Sequence, residues 1–250
     1  VSPGPPDETF PVTQVASLDF PDLCEYVREA SRPVRVDDLD DNGWSLVDGR
    51  ISALLKKIRG GGVPLGEYVQ GKIYRGVLTG LNRAFIIDTE TRDRLIAGDP
   101  RSAEIIKPFL LGRDVKRYQP LKPDKFLIFT RRGININEYP VIKAYLSKFK
   151  QELMPRPKEW KGEWVGRKPG SYQWYEIQDT VDYYKEFEKR KIVYPNICKK
   201  PEFTYDAVSN YTNQKCFIIS MDDKYLLGIL NSKLNNFLFK LILPKLRGGF

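Results

Sequence analysis

The chain has 250 residues, of which 41% are hydrophobic and 12% aromatic, a composition typical of globular domains and not of disordered chains. It carries 41 Lys and Arg residues against 32 Asp and Glu residues, and this net charge of +9 favours a polyanionic partner such as nucleic acid. Histidine is absent, which excludes every mechanism that needs an imidazole, including Ser-His-Asp triads, Cys-His dyads and His-ligated zinc sites.

Cysteine usage and the chain start indicate the class of protein. Cys24, Cys198 and Cys216 are far apart, and no pair has the CxxC spacing of a zinc knuckle or redox site. We therefore expect reduced, mostly buried thiols and a cytoplasmic location. No apolar run reaches the ~18 residues of a membrane span. The Pro-rich start lacks an initiator Met, and we interpret it as the edge of a piece of a longer protein.

The first part of the chain predicts one helix after a connector. A short apolar pattern within residues 17–48 gives way to an acidic patch at residues 37–41, interpreted as a solvated connector. Apolar residues then recur at helical spacing: Ile51, Leu54, Leu55 and Ile58. Three glycines, residues 60–62, are expected to stop this helix. They are not interpreted as a phosphate loop, because no GK[ST] follows and no strand precedes them.

The remaining patterns predict a mixture of strands and helices. Strands are predicted at residues 84–88, 126–129, 192–194 and 216–219. Helices are predicted to open at Asp99-Pro100 and to span residues 137–154 and about 180–189. A long C-terminal helix is predicted by Leu226, Leu227, Leu230, Leu234, Phe237, Leu238 and Leu241. Since βαβ units are few, we predict an α+β fold in which helices pack on a twisted mixed, mostly antiparallel sheet.

Few residues of the chain are candidates for catalysis. A methyltransferase needs a Gly-rich cofactor loop and a polar-Pro-Pro-aromatic segment, and the sequence contains neither. Asp222-Asp223-Lys224 is the nearest match to the acidic and basic residues of a Mg²⁺-dependent nuclease. A turn before the last helix explains this triplet better.

Basic residues interleaved with aromatic ones point instead to nucleic-acid binding. In residues 156–174 the cations that could contact phosphates or guanine edges are Arg156, Lys158, Lys161, Arg167 and Lys168. Trp160, Trp164, Tyr172 and Trp174 lie between them. Two further basic turns follow predicted strands, at Arg131-Arg132 and at Lys199-Lys200. The alternative is a solvated loop that its tryptophans anchor to the core.

Four sequence blocks, in series, resemble a known family. Residues 76–85 read GVLTGLNRAF and resemble the G-x-x-T-G-x-N-x-A-F signature of TaqI-like C-terminal specificity domains. Residues 104–115, EIIKPFLLGRDV, are similar to the family's I-K-P-F-x-x-G-R-D-I. Residues 191–194 and 226–234 resemble its later blocks. The resemblance covers about residues 44–250.

The resemblance implies a function and a domain organisation. Such domains occur in type IIG restriction enzymes and Eco57I-like N6-adenine DNA methyltransferases, where they read the target in double-stranded DNA. The catalytic domain of the same polypeptide uses S-adenosylmethionine to methylate a flipped adenine. By this resemblance residues 1–43 are a linker or the end of a methyltransferase domain, and residues 44–250 are the target-recognition domain. The 250-residue chain itself is expected to have no catalytic residues and to bind no cofactor. The whole enzyme would bind Mg²⁺ if it also contains a nuclease domain.

The resemblance also separates scaffold from specificity. Gly76, Thr79, Gly80 and Asn82 are expected to form a tight turn, in which Asn82 bonds the backbone, and Arg113 with Asp114 a structural pair. Target sequences differ between members while the scaffold does not, so specificity is expected in the segments outside the matching blocks. Two alternatives stay open. One is the nuclease at residues 222–224, and the other is a module that stacks single-stranded DNA or RNA on its aromatic residues.

Overall fold

The computed structural model of the chain describes residues 8–15, 18–39 and 49–243. The chain divides into two compact units, Val1–Leu65 and Gly66–Phe250. The predicted domain boundary between residues 43 and 44 lies outside the described residues, so it stays a prediction. The end of the predicted acidic connector, residues 40 and 41, also lies outside them.

The first unit contains a two-stranded antiparallel sheet and two α-helices. Strand β1 (Thr9–Val12) pairs with β2 (Arg32–Arg35), and helix α1 (Leu23–Ala30) lies between them in sequence. Helix α2 (Gly49–Gly61) confirms the predicted helix but includes two of the three glycines expected to stop it. A glycine in a helix costs only about 1 kcal/mol relative to alanine, so the helix ends one glycine before the last of the three.

The second unit contains eight strands and seven helices within residues 66–243, with α3 beginning one residue earlier. The strands are β3 (Ile73–Arg75), β4 (Ile86–Asp88), β5 (Ile106–Leu110), β6 (Lys125–Ile128), β7 (Lys191–Pro195), β8 (Thr204–Asp206), β9 (Tyr211–Thr212) and β10 (Cys216–Ile219). The helices are α3 (Leu65–Tyr68), α4 (Asn82–Phe85), α5 (Thr89–Gly98), α6 (Pro140–Ser147), α7 (Lys150–Leu153), α8 (Lys224–Leu230) and α9 (Lys233–Ile242). The predicted strands at 126–129, 192–194 and 216–219 are thereby confirmed.

Two four-stranded sheets form the second unit. The first sheet has the order β3-β10-β7-β8 and is antiparallel throughout. The second sheet has the order β4-β6-β5-β9, in which β5 and β9 are parallel and the other pairs antiparallel. The predicted α+β class with a mixed, mostly antiparallel sheet is confirmed, although the strands form two sheets where one was expected.

One hydrophobic core serves both sheets. It joins Val193 and Ile218 of the first sheet to Phe109 and Leu127 of the second, all of them fully buried. Tyr211 of β9 stacks on Phe187, with ring centroids 4.9 Å apart, and adds aromatic area to this core. Because the two sheets bury the same cluster, neither can separate from the other without exposing it.

The segment after β3 connects the two sheets at close range. The Val77 amide donates to the Thr212 carbonyl (2.7 Å), and the Gly76 amide donates to the Cys216 carbonyl (2.8 Å). A Cβ at Gly76 would overlap the backbone carbonyl of Asn213. The first glycine of the GVLTG block is therefore needed so that two backbones can approach each other.

The predicted helix over residues 137–154 is split into two. A 3₁₀ turn at Ile136–Glu138 leads into α6, and a break at residues 148–149 separates α6 from α7. The Ser147 hydroxyl donates back to the Lys143 carbonyl (2.7 Å), a competing bond that bends helices. The apolar face is as predicted, because Ile142, Leu146 and Leu153 are all fully buried.

The predicted long C-terminal helix is also two helices, α8 and α9. The buried amide of Asn231 bonds the backbone of Phe203, accepting at 3.2 Å and donating at 2.8 Å. Ser232 then caps α9 by accepting from the Asn235 amide (3.1 Å). The apolar periodicity continues across this break, which is why the sequence pattern predicted a single helix.

Three smaller expectations are corrected. The predicted strand 84–88 begins as the helical turn α4 and becomes extended at Ile86, and the predicted helix 180–189 is a 3₁₀ turn at Tyr184–Glu188. Asp99 is an N-cap as expected, but the short helix predicted through Ile105 and Ile106 is a 3₁₀ turn over Pro100–Glu104, and Ile106 begins β5. All three cysteines are free, but Cys24 and Cys198 are exposed because they lie outside the core. Within the described residues, no helix is long and apolar enough to cross a membrane.

A buried ion pair ties the edge strand β8 to β7. The Lys191 ammonium lies 2.7 Å from the Asp206 carboxylate, and both side chains are inaccessible to solvent. The ammonium also donates to the Phe187 carbonyl (2.6 Å). Burial lowers the pKa of Lys191, and the adjacent carboxylate opposes this shift. Asp206 further accepts from the amide of Asn210 (2.9 Å), which fixes the turn into β9.

Removing the carboxylate of this pair is expected to destabilise the protein strongly. In Asp206→Asn the Lys191 ammonium stays buried without a countercharge, and we expect the free energy of unfolding to fall by about 3–5 kcal/mol. Urea unfolding measures this change. The matched control is Lys189→Gln, which removes the exposed partner of the ion pair with the partly buried Glu186 and is expected to change stability by about 1 kcal/mol or less. Equal effects of the two variants would contradict the assignment.

Candidate nucleic-acid interface

The predicted binding segment is a loop that closes on itself at its base. We call residues 156–168 the basic loop. The Arg156 amide donates to the Arg167 carbonyl (3.0 Å), and the Arg167 amide donates to the Met154 carbonyl (3.0 Å). These two bonds continue the bridge between Pro155 and Arg167. The loop thus leaves the end of α7 and returns to the same place.

The Arg167 side chain anchors this base from inside the protein. Arg167 is only 4% exposed, and its guanidinium donates to backbone carbonyls alone. The five acceptors are the carbonyl oxygens of Leu153 (2.8 Å), Thr79 (3.1 Å), Glu176 (2.7 Å), Gln173 (3.2 Å) and Trp174 (3.0 Å). All five donors of a guanidinium are therefore engaged. The side chain joins the end of α7, the GVLTG turn and the segment after the basic loop.

Aromatic packing completes the environment of Arg167. Two guanidinium groups lie within cation–π distance of the Tyr172 ring, Arg167 at 4.3 Å and Arg132 at 4.9 Å from its centroid. Its hydroxyl donates to the Lys168 carbonyl. Burial lowers the pKa of Arg167 to about 10, so the guanidinium is still charged at neutral pH.

Arg132 fixes the neighbouring turn in the same way. Its guanidinium donates to the carbonyls of Ile177 and Gln178, both at 2.8 Å, and lies 3.5 Å from the Glu176 carboxylate. The buried Glu176 also accepts from the Gly133 amide (2.8 Å). The structure thus buries Arg167 and Tyr172, while Arg132 is partly buried and both of its terminal guanidinium nitrogens are engaged by carbonyl oxygens. We revise their predicted role from DNA contact to support of the surface above them.

Other cations of the prediction are exposed. Arg156, Lys158, Lys161 and Lys168 of the basic loop are accessible to solvent and form no ion pair with any described residue. Arg131 is exposed as well, and its guanidinium lies 5.3 Å from the centroid of the Tyr184 ring. All five side chains are accessible to phosphates or base edges, although the Arg131 guanidinium also donates to the Arg132 carbonyl (3.4 Å).

Of the tryptophans in residues 156–174, Trp160 is the one whose ring is exposed enough to contact a ligand. Trp160 is 49% exposed and packs edge-on against Trp164, with ring centroids 5.2 Å apart. Trp164 is held by its indole N–H, which donates to the Met154 carbonyl (3.2 Å). Trp174 is half-buried beneath the Lys150 ammonium, 5.4 Å from the ring centroid. Trp160 is therefore the aromatic side chain that the loop presents to a ligand.

Lys199 and Lys200 lie elsewhere, in a cleft of about 930 Å³. Three turns form it: the turn after β5, the turn after β7 and the turn before β10. We call it the basic cleft, because its lining includes the exposed cations Arg113, Lys116, Lys199, Lys200 and Lys215. Sequence reasoning missed three of these cations, because they lie in turns that only the tertiary fold brings together. Arg113 does pair with Asp114 at 3.7 Å, as expected, yet its side chain is 72% exposed.

The GVLTG block has the scaffold role that the sequence predicts. The Thr79 hydroxyl donates to the Asn82 side-chain oxygen (2.8 Å), so Asn82 bonds a side chain and not the backbone as predicted. Gly80 has φ +83°, and a Cβ there would lie 2.7 Å from Cδ of Arg167. The second glycine of the block thus makes room for the buried Arg167 and for the Gln178 side chain, which would lie equally close to a Cβ, a reason that no sequence pattern reveals.

The acidic triplet before α8 is structural. Asp223 caps α8 by accepting from the Leu226 amide (2.8 Å), and it also accepts from the Tyr68 hydroxyl (2.7 Å). Asp222 accepts from Arg190 (3.3 Å) and from the Tyr205 hydroxyl. Within residues 8–15, 18–39 and 49–243, no cluster of three potential ligands is arranged to hold a metal ion. The geometry therefore favours the helix-cap interpretation of this triplet.

Comparison with known proteins identifies one family. The sequence model described as "TaqI-like C-terminal specificity domain" matches residues 107–250. A solved structure of the type IIL restriction-modification enzyme MmeI in complex with DNA is similar, with a TM-score of 0.44 and 12% identity. That similarity covers 66% of this chain and 21% of the MmeI chain, so this chain spans about a fifth of that protein. No curated protein matches the sequence.

Replacing the buried arginine by lysine is expected to destabilise the base of the basic loop. An ammonium has three donors, so Arg167→Lys leaves buried carbonyls unsatisfied, at ~1–3 kcal/mol each in the free energy of unfolding. Arg156→Lys, at the exposed end of the same base, is expected to change stability by less than about 0.5 kcal/mol. Urea unfolding measures the free energy of unfolding of both variants. If Arg167→Lys lowered it no more than Arg156→Lys, the hydrogen bonds of the buried guanidinium would not be needed for stability.

Two glycines of positive φ allow the packing around Arg167 to be tested separately from backbone strain. A Cβ at Gly80 (φ +83°) would lie 2.7 Å from Cδ of Arg167 and 2.7 Å from Oε1 of Gln178. A Cβ at Gly133 (φ +74°) would have no atom within 4 Å. We expect Gly80→Ala to lower the free energy of unfolding by ~1–3 kcal/mol more than Gly133→Ala because of overpacking, and therefore to have the lower midpoint of thermal unfolding. Equal shifts in the two variants would mean that Arg167 moves aside without cost.

Proposed function

Because the chain belongs to the family of TaqI-like C-terminal specificity domains, we propose that it reads a target sequence in double-stranded DNA for a restriction-modification enzyme. The observation that carries this proposal is the basic loop. Its exposed cations have no carboxylate partners among the described residues, while its base is fixed by the buried Arg167. A fixed base with free cations suits sequence recognition, because hydrogen bonds to base edges require defined side-chain positions.

The proposed division of labour assigns contacts to the exposed side chains. Arg131, with its planar guanidinium, is suited to the O6 and N7 acceptors of guanine, and Lys158, Lys161 and Lys168 to phosphates or guanine edges. Trp160 is suited to stack or wedge against bases. Arg132, Arg167 and Tyr172 hold these groups in place without contacting DNA.

The chemistry of the parent enzyme is a further part of this proposal. The resemblance of four sequence blocks to Eco57I-like methyltransferases supports an adenine-N6 specificity, with the target base flipped into a catalytic domain of the same polypeptide. S-adenosylmethionine would be bound by that catalytic domain, and Mg²⁺ by a nuclease domain where one is fused. The described residues of this chain have the recognition role and perform no chemical step.

A second candidate function rests on the exposed indole of Trp160. An aromatic side chain that is half accessible on a basic loop also suits stacking on an unpaired base. Competition between a duplex and a single strand of the same sequence separates the two candidates. Preference for the single strand would favour this second candidate over duplex recognition.

The direct test is selection of duplexes from a randomised DNA pool by the 250-residue chain, at two salt concentrations, followed by sequencing. We expect an enriched motif of a few base pairs and affinity that falls steeply as salt rises, since phosphate contacts release counterions. Salt-sensitive binding without enrichment would contradict sequence recognition by this chain alone.

Loss of two proposed contacts is expected to relax specificity. In Arg131→Gln/Lys168→Gln we expect the ratio of specific to non-specific affinity to fall about tenfold or more, equivalent to ~1.4 kcal/mol. Lys122→Gln/Lys240→Gln removes the same charge from exposed positions outside the loop and should leave this ratio unchanged. Fluorescence anisotropy with the selected and a scrambled duplex measures both. An unchanged ratio in the first variant would show that these side chains do not read bases.

A further inference from the structure

The basic cleft concentrates positive charge in a concave surface. Its lining includes five exposed cations and a single carboxylate, that of Glu202, which is 8% exposed and accepts from the Arg117 amide (2.8 Å). The Glu202 carboxylate thus already accepts a hydrogen bond, and Lys116, Lys200 and Lys215, which form no ion pair with any described residue, repel one another unless an anion lies between them. Like charges gathered around one concavity favour a polyanionic ligand over a neutral one.

The cleft is rigid because hydrogen bonds cross-connect its three turns. The Asn196 amide donates to the Lys215 carbonyl (2.8 Å), which joins the turn after β7 to the turn before β10. The Asn213 amide donates to the Leu110 carbonyl (3.1 Å), which joins that second turn to the end of β5. The spacing of the cations is therefore set by the backbone before any ligand arrives.

The turn after β5 also holds two of the cations in position. Asp114 accepts from the Leu111 amide (2.8 Å) and lies 3.7 Å from Arg113, which orients the guanidinium without burying it. The Lys116 carbonyl accepts from the Thr204 hydroxyl (2.8 Å), which fixes the backbone of that residue while its ammonium remains exposed. A lysine such as Lys116, with a fixed backbone and an exposed ammonium, is suited to phosphate oxygens, which it contacts as a point charge from many directions.

From this arrangement we propose that the basic cleft binds the phosphodiester backbone of the duplex, separately from the basic loop that reads the bases. This inference rests on the proposed function and deepens it. The cleft contributes affinity and register without sequence information, whereas the loop contributes discrimination. Arg113, in the LLGRDV block that resembles the family signature, thereby gains a contact role in addition to its pairing with Asp114.

The test compares three variants of the 250-residue chain that lose the same net charge. The cleft variant is Lys116→Gln/Lys200→Gln/Lys215→Gln, with one lysine from each turn. The loop variant is Lys158→Gln/Lys161→Gln/Lys168→Gln. The control is Lys57→Gln/Lys122→Gln/Lys240→Gln, at exposed positions outside both surfaces. The slope of log Kd against log salt concentration and the motif enriched from a random duplex pool are measured for each.

We expect the cleft variant to lose about 0.9 of the salt slope for each phosphate contact removed, while its enriched motif stays that of the unmodified chain. We expect the loop variant to change or lose the motif, and the control to change neither quantity beyond a small general effect of charge. Circular dichroism confirms that all three are folded, which their exposed positions predict.

Each outcome is informative. A cleft variant with the control's salt slope would overturn the backbone assignment while leaving sequence recognition by the loop intact. A cleft variant with an altered motif would show that the cleft reads bases, which also overturns it. If the loop variant keeps its motif while the cleft variant loses slope, the proposed loop function fails and the cleft inference stands. Failure of the unmodified chain to bind any duplex would overturn both.

Discussion

The contact between the buried guanidinium of Arg167 and five backbone carbonyls is the constraint on which the rest of the recognition surface depends. A charge in the interior is tolerated there because oriented carbonyl dipoles replace the water it has lost. The same contact explains two features on either side of it. A side chain at Gly80 would overlap the Arg167 stem and the Gln178 side chain, and the Tyr172 ring lies 4.3 Å from the guanidinium.

A second buried cation is tolerated by a different means. Lys191 is matched by the Asp206 carboxylate, so this interaction is an ion pair rather than a ring of dipoles. Its position differs too, because it connects the edge strand β8 to β7 and fixes the turn into β9. Arg167 thus shapes the base of the basic loop, and Lys191 secures the sheet bordering the basic cleft. In each case a long charged side chain bonds to groups on separate backbone segments and so fixes their position relative to one another, which non-directional hydrophobic packing alone does not do.

The sequence was a good guide to local structure and a poor one to which charges are accessible. Periodicity located the strands at 126–129 and 216–219 and the buried face of α6, because these patterns follow from side-chain geometry within one element. It missed the break at Asn231, since the amide that ends α8 bonds a residue distant in sequence. Arg167 and Lys168 are adjacent in the sequence, yet one is buried and the other exposed. Such a difference arises from tertiary contacts, as does the assembly of the basic cleft from three turns.

The closed base of the basic loop has a consequence for how such a domain can evolve. The two backbone bonds at its base and the buried arginine are complete without the residues from 157 to 163, which are exposed. Substitutions in that stretch alter what the surface offers to a ligand and leave the hydrophobic core as it was. New preferences for a DNA sequence can then arise through few mutations, each of which changes the free energy of unfolding little. The stability of the scaffold therefore does not fall as its recognition surface diversifies.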